Sequence, residues 1–213
     1  MKKSIVVLTL LSLTAFAFAM PPMPHHYGRS GGEYLKAELQ AVLAETSGQT
    51  LGELTGERVE QLAGRLSVAR QKDAYVARAQ AMSFMSPGLG ELITKDYAAG
   101  ALFLGADLAV AAGTLVGAYF LLPEELQFKH LDYFNSSYAA IRDRWEAQSF
   151  VDLLPTVAVL AGGGLVKGVL GGLSAKHAGK VARRNIEQGR VTFEPNLFLL
   201  PNGPVMMGMG LRY

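Results

Sequence analysis

Ala98–Leu122, AAGALFLGADLAVAAGTLVGAYFLL, and Leu153–Leu173, LLPTVAVLAGGGLVKGVLGGL, decide how the rest of this chain is read. The first run is 25 residues with one charge, Asp107; the second is 21 residues with one charge, Lys167. Each exceeds the roughly 20 residues that an α-helix needs to cross a hydrocarbon core of about 30 Å. Four glycines dilute the first run and six dilute the second, alongside Pro155. A buried helical pair in a soluble protein is the alternative to a transmembrane hairpin. The remaining sequence is too short to wrap two such helices, so the hairpin, 98–173 with a polar loop at 123–152, is the expected arrangement.

Folded back on itself, the hairpin brings Asp107 and Lys167 to depths that differ by about 5 Å at 1.5 Å per residue. A charge alone at mid-bilayer costs several kcal/mol, so an ion pair between the two is expected, acting as a packing clip or as part of an ion path. Gly113 and Gly117, and Gly164 and Gly168, each lay a smooth strip on one helical face for close backbone approach.

Outward from the hairpin, the loop carries three basic and six acidic residues and several aromatics, among them Tyr133, Phe134, Tyr138, Trp145 and Phe150. These suit a headgroup interface, and Asn135-Ser136-Ser137 can cap a short helix from Tyr138 to about Gln148. Residues 33–97 are an amphipathic region. Leu35, Leu39, Val42 and Leu43, then Val59, Leu62, Leu66 and Ala69, recur at helical spacing and predict helices at roughly 33–46 and 55–82, with a bend near Gly64. After the second run, 174–190 is a basic helical extension. At 191–213 the period changes to two: Val205, Met207, Met209, Leu211 and Tyr213 alternate with other residues, and Asn202-Gly203 predicts a β-hairpin with a partner strand near 191–199.

At the other end, MKKSIVVLTLLSLTAFAFA (1–19) has a basic start, an apolar core and an Ala17-Phe18-Ala19 cleavage pattern, and reads as a signal peptide. Residues 20–32, MPPMPHHYGRSGG, read as a flexible Pro/Gly arm. Met20, Met23, His25 and His26 there are soft ligands, but a solvated arm is the simpler account.

Ser86-Pro87-Gly88-Leu89-Gly90, followed by Tyr97 and Gly100, resembles the turn leading into the helical hairpin of a broad class of small bacterial membrane proteins. Those proteins carry Pro-Gly-x-Gly-Gln, a Tyr, and a Gly-rich span; here Glu91 stands in place of Gln. The likeness covers about 40 residues and implies a membrane location and no chemistry. It marks Pro87, Gly88 and Gly90 as the turn into the membrane. The C-terminus, by its alternation and final Tyr213, resembles the terminal strand of bacterial outer-membrane proteins.

Charged residues make up 18% of the chain, below the roughly 25% of a soluble domain, and there is no cysteine. A disulfide framework and a thiolate site are thereby excluded. Without Lys2 and Lys3 the charges balance, leaving no field for nucleic acid. His130 and His177 have no partner at ligand spacing, Ser136 and Ser137 sit in no nucleophile elbow, and no phosphate-loop or H-E-x-x-H motif occurs. The expectation is a mainly α, non-enzymatic envelope membrane protein without cofactor, whose partners are the lipid bilayer and further copies or other envelope proteins. A small pore or channel subunit using Asp107 and Lys167 is the alternative. The basic tail should face the cytoplasm by the positive-inside rule, whereas a cleaved signal peptide puts it outside. The signal peptide has the more specific grammar, and it favours the outer membrane over the inner.

Overall fold

The computed structural model describes residues 32–48, 50 and 53–195, and within them the chain is helical with no strand. The elements are α1 (Glu33–Glu45), α2 (Gly56–Met85), α3 (Leu89–Ile93), α4 (Tyr97–Phe120), a 3₁₀ turn (Glu124–Leu126), α5 (Tyr138–Ala147) and α6 (Phe150–Glu187). The signal peptide, the arm up to Gly31, and the strand residues Val205, Met207, Met209, Leu211 and Tyr213 lie outside the described residues.

The helix ends follow from local chemistry. Thr55 caps α2 by accepting from the Arg58 amide, and Ser137 caps α5 by accepting from the Ala140 amide. Ser149 and Asp152 form a reciprocal capping box at the start of α6. The first turn of α1 has no cap of its own. Its free Tyr34 and Leu35 amides donate instead to the buried Asp73 carboxylate of α2, at 3.1 and 2.8 Å. Arg65 adds ion pairs to Glu38 and Glu45 that tie the same two helices together.

The second apolar run and the basic extension form one unbroken 38-residue helix, α6, about 57 Å long. Pro155 sits in its second turn, where it gives up one main-chain donor without ending the helix. The N-terminal half of α6 packs against α4, and its C-terminal half packs against α2. Gly163 faces Thr114, Gly117 faces Val159, and Lys167 faces Asp107, which fixes the α4–α6 pair as antiparallel. Likewise α2 runs through Gly64 as one unbroken helix.

Two small cores bracket the hairpin. On one side, Tyr75, Val76 and Ala79 of α2 pack against Ala178 and Ala182 of α6, with Tyr34, Ile186, Val191 and Phe193 around them. Residues 191–195 lie along this helical core, where Phe193 meets Tyr75 edge-on at 6.1 Å, and the remainder of the expected β-hairpin lies outside the described residues. At the far end, Leu126, Leu131 and Leu153 cluster under Leu122, Tyr133, Ile141 and Trp145.

The Asp132 carboxylate closes a turn in that far loop by accepting from the amides of Phe134 and Asn135 and from the Asn135 side chain. The Asn135 side-chain bond, then the two amides, hold its carboxyl below the usual Asp range. A carboxyl shifted down stabilises the turn above its unfolded pKa, and that contribution is lost only as pH falls through the lower folded value. The turn is therefore expected to persist at pH 4 to 5 and to open below about pH 4, where unperturbed Asp protonates. Amide shifts of Phe134 and Asn135 followed through a pH titration check this; opening already at pH 5 would contradict it.

Candidate functional site

Between the two cores, α4 and the first part of α6 present a continuous apolar surface. Leu102, Leu108, Leu115 and Phe120 of α4, and Leu165, Val166 and Val169 of α6, are all more than half exposed. Both helices are long and apolar enough to cross a membrane. Only 11% of each apolar stretch is buried within the protein, whereas the core helix of a soluble domain would be mostly covered.

The Asp107 carboxylate is set against α6 with its side chain 9% exposed, and Lys167 Nζ donates to both of its oxygens at 2.8 Å. The lysine remains 44% exposed, so the pair is enclosed on its acidic side and open on its basic side. The pair lies about 15 Å along α4 from Tyr97, well inside an apolar span. The glycines distribute differently from the sequence expectation. Gly113 and Gly168 look onto open space, and Gly117 makes an ordinary contact with Val159. The close approach of α4 and α6 is instead at Gly163, where any Cβ would collide with the Thr114 side chain. Gly164 stands next to it in α6 and is partly buried.

The turn into the hairpin is the most tightly built part of the molecule. Pro87 is fully buried, and Gly88 has φ +98°, a conformation that a side chain would strain. Gly90 lies so close to the Ala79 carbonyl of α2 that no side chain fits. These three residues deliver Glu91 of α3 into the interior with no solvent exposure. Ser83 of α2 and Ser174 of α6 both donate to its carboxylate, at 2.5 and 2.9 Å. Each hydroxyl in turn accepts a main-chain amide, Gly90 to Ser83 and Gly88 to Ser174, both at 2.9 Å. Because each hydroxyl oxygen already receives a donor, its own hydrogen is free to point at Glu91, which acts as acceptor for both.

Two further contacts close this collar. Asn185 of α6 donates to the Thr94 carbonyl at 2.8 Å, just beyond α3. The His177 ring stands with Nδ1 3.6 Å from Glu91 and Nε2 4.0 Å from Asp96, the residue that caps α4. It also faces the Phe103 ring of α4 at 5.9 Å. Sequence reasoning missed this constellation. Its one visible signal was an acidic residue in an apolar turn, Glu91, placed where the resembled motif has Gln. What the collar does is join α2, α3 and α6 through hydrogen bonds to the Glu91 carboxylate, while the buried Nδ1 of His177 beside it has no hydrogen-bond partner. Among the described residues no group of three His, Asp or Glu side chains is placed to hold a metal. Set against known families, characterised proteins and solved structures, the chain matches none.

Proposed function

We propose that the protein is an exported, non-enzymatic structural or assembly component of a bacterial cell envelope, oligomeric, and seated in a lipid bilayer, the outer membrane before the inner. The observation that carries this reading is the exposure of the hairpin: two helices of membrane-crossing length whose apolar faces are covered by almost nothing among the described residues. Such a surface needs lipid or protein around it. Its polar ends support the same reading. The collar and the α1–α2 bundle stop the hairpin at one end, and the aromatic, acidic loop ends it at the other, with Phe134 and Tyr138 standing outward.

A pore subunit is the second reading, and one observation favours it. Lys167 keeps nearly half its side chain exposed at mid-hairpin, where an ammonium needs water or a neighbouring chain. In either case the loop at 123–152 and the bundle lie at opposite ends of the hairpin. Membrane fractionation followed by external protease is therefore expected to recover the protein in the membrane pellet, with cleavage at the loop or at the bundle but not at both in sealed vesicles. Recovery in the soluble fraction, or simultaneous cleavage at both ends, would overturn the membrane reading. Ion flux through liposomes carrying the protein separates the pore from the structural component.

A further inference from the structure

The exposed face of α6 changes chemistry without changing direction. Leu165, Val169 and Leu173 stand more than half exposed along it. Lys176, Lys180 and Arg184, also exposed, follow on the same face. At 3.6 residues per turn the six side chains fall within about 100° of the helix circumference, one line running from apolar to cationic. Ser174, Ala178, Val181 and Asn185 are buried on the opposite side, which fixes this rotation. Among the described residues none of the three cations is in an ion pair, whereas Arg183, on the flank, pairs with Glu33 at 3.4 Å. Beyond Asp152 the single acidic residue of α6 is Glu187, one turn past Arg184.

The neighbouring helix sets the level of these cations. Asp96 caps α4, and its Oδ2 lies 4.0 Å from Nε2 of His177, so the α4 span starts level with Lys176. Tyr97, 63% exposed, stands at that start, an amphipathic ring suited to the edge of a hydrocarbon layer. Lys180 and Arg184 lie about 6 and 12 Å farther out along the helix. A headgroup layer is about 5–8 Å deep on each side of a bilayer. Helical side chains tilt toward the N-terminus, here back toward the apolar span, which brings all three charges within reach of that layer. We propose that Lys176, Lys180 and Arg184 form a site for the phosphates of anionic lipid headgroups, seating the bundle end of the hairpin in an anionic leaflet. The proposal rests on the bilayer reading above and adds a lipid preference to it. A soluble polyanion needs no apolar surface beside its cations; a lipid presents phosphate and acyl chain in one line, as this face does.

Gly172 looks onto open space one turn before Lys176, and the chain has no cysteine, so bimane on Gly172→Cys reports the lipid beside the stripe. The full chain is reconstituted in phosphatidylcholine vesicles with a minor share of lipid brominated high on its acyl chains. Brominated phosphatidylglycerol should associate about fivefold more strongly than brominated phosphatidylcholine, the factor expected of one cation near an anionic surface. Lys176→Gln/Lys180→Gln/Arg184→Gln should abolish that preference and leave quenching by brominated phosphatidylcholine unchanged. Inorganic phosphate, exchanged for chloride at equal ionic strength, should leave the preference intact. Equal quenching by the two lipids without the substitutions overturns the lipid site and leaves the bilayer reading standing. A preference kept by the triple variant assigns it to other cations, and one abolished by inorganic phosphate assigns the stripe to a soluble anion; either overturns the proposal. No quenching by either lipid, with the protein left behind when the vesicles are floated, would sink the bilayer reading and the proposal with it.

Discussion

Glu91→Ala is expected to destabilise the helical bundle by about 3 kcal/mol, and Glu91→Gln by about 1 kcal/mol. The carboxylate is fully buried and receives both the Ser83 and Ser174 hydroxyls. Hydrogen bonds to a charged group contribute about 1.5–3 kcal/mol each, and alanine removes both while opening a cavity. Part of that loss is offset, because the desolvation cost of burying the carboxylate also disappears. The consequences reach the main chain. Ser83 and Ser174 are held in place by Glu91, and they in turn satisfy the Gly90 and Gly88 amides in the turn. Glutamine keeps the shape and one acceptor oxygen, so it retains the tie to one hydroxyl and costs less. Urea unfolding in detergent micelles, followed by circular dichroism, measures both variants. If alanine and glutamine unfold within error of each other, the collar contributes packing and not hydrogen bonding.

The same residue shows where the sequence stopped being readable. Pro87, Gly88 and Gly90 are legible as a turn because their chemistry is local: one ring that stops a helix and two positions without Cβ. The collar they build is not local. Ser83, Glu91, Ser174 and His177 come together across up to 94 positions of chain, and serine or histidine at any one of them carries no sign of its partners. Helix boundaries were legible for the corresponding reason. Ser137 caps the helix that follows it through a bond spanning three residues, as its place before Tyr138 announces, whereas the caps at Asp96 and Ser149 were not read from the sequence. Glycine packing was legible only in kind. The run Gly162-Gly163-Gly164 announces a close approach, but which of the three faces Thr114 depends on the rotation of α6, set by its C-terminal contacts with α2. The division of α6 into a span and an extension reflects a change of environment, apolar to basic, along a helix that has no break in its hydrogen bonding.

Asp107 and Lys167 are expected to be strongly coupled, and unequally sensitive. The stranded charge sets the cost of each single substitution. In Lys167→Ala the Asp107 carboxylate, only 9% exposed in the intact pair, loses its bidentate partner, and about 3 kcal/mol of stability should be lost. In Asp107→Ala the ammonium is left on a side chain already 44% exposed, with a four-carbon stem that reaches toward a polar boundary, so the loss should be nearer 1 kcal/mol. The double substitution strands neither charge and should recover much of the loss, giving a coupling energy of about 2 kcal/mol. Thermal stability and folded yield in detergent or lipid measure the cycle. Additive losses would show that the 2.8 Å contacts carry no net stabilisation. A larger loss for Asp107→Ala than for Lys167→Ala would mean that Lys167 is the enclosed partner in the bilayer, held by a neighbouring chain. That result would draw the pair into an interface or a pore, because only a second protein surface or a column of water relieves an ammonium at that depth.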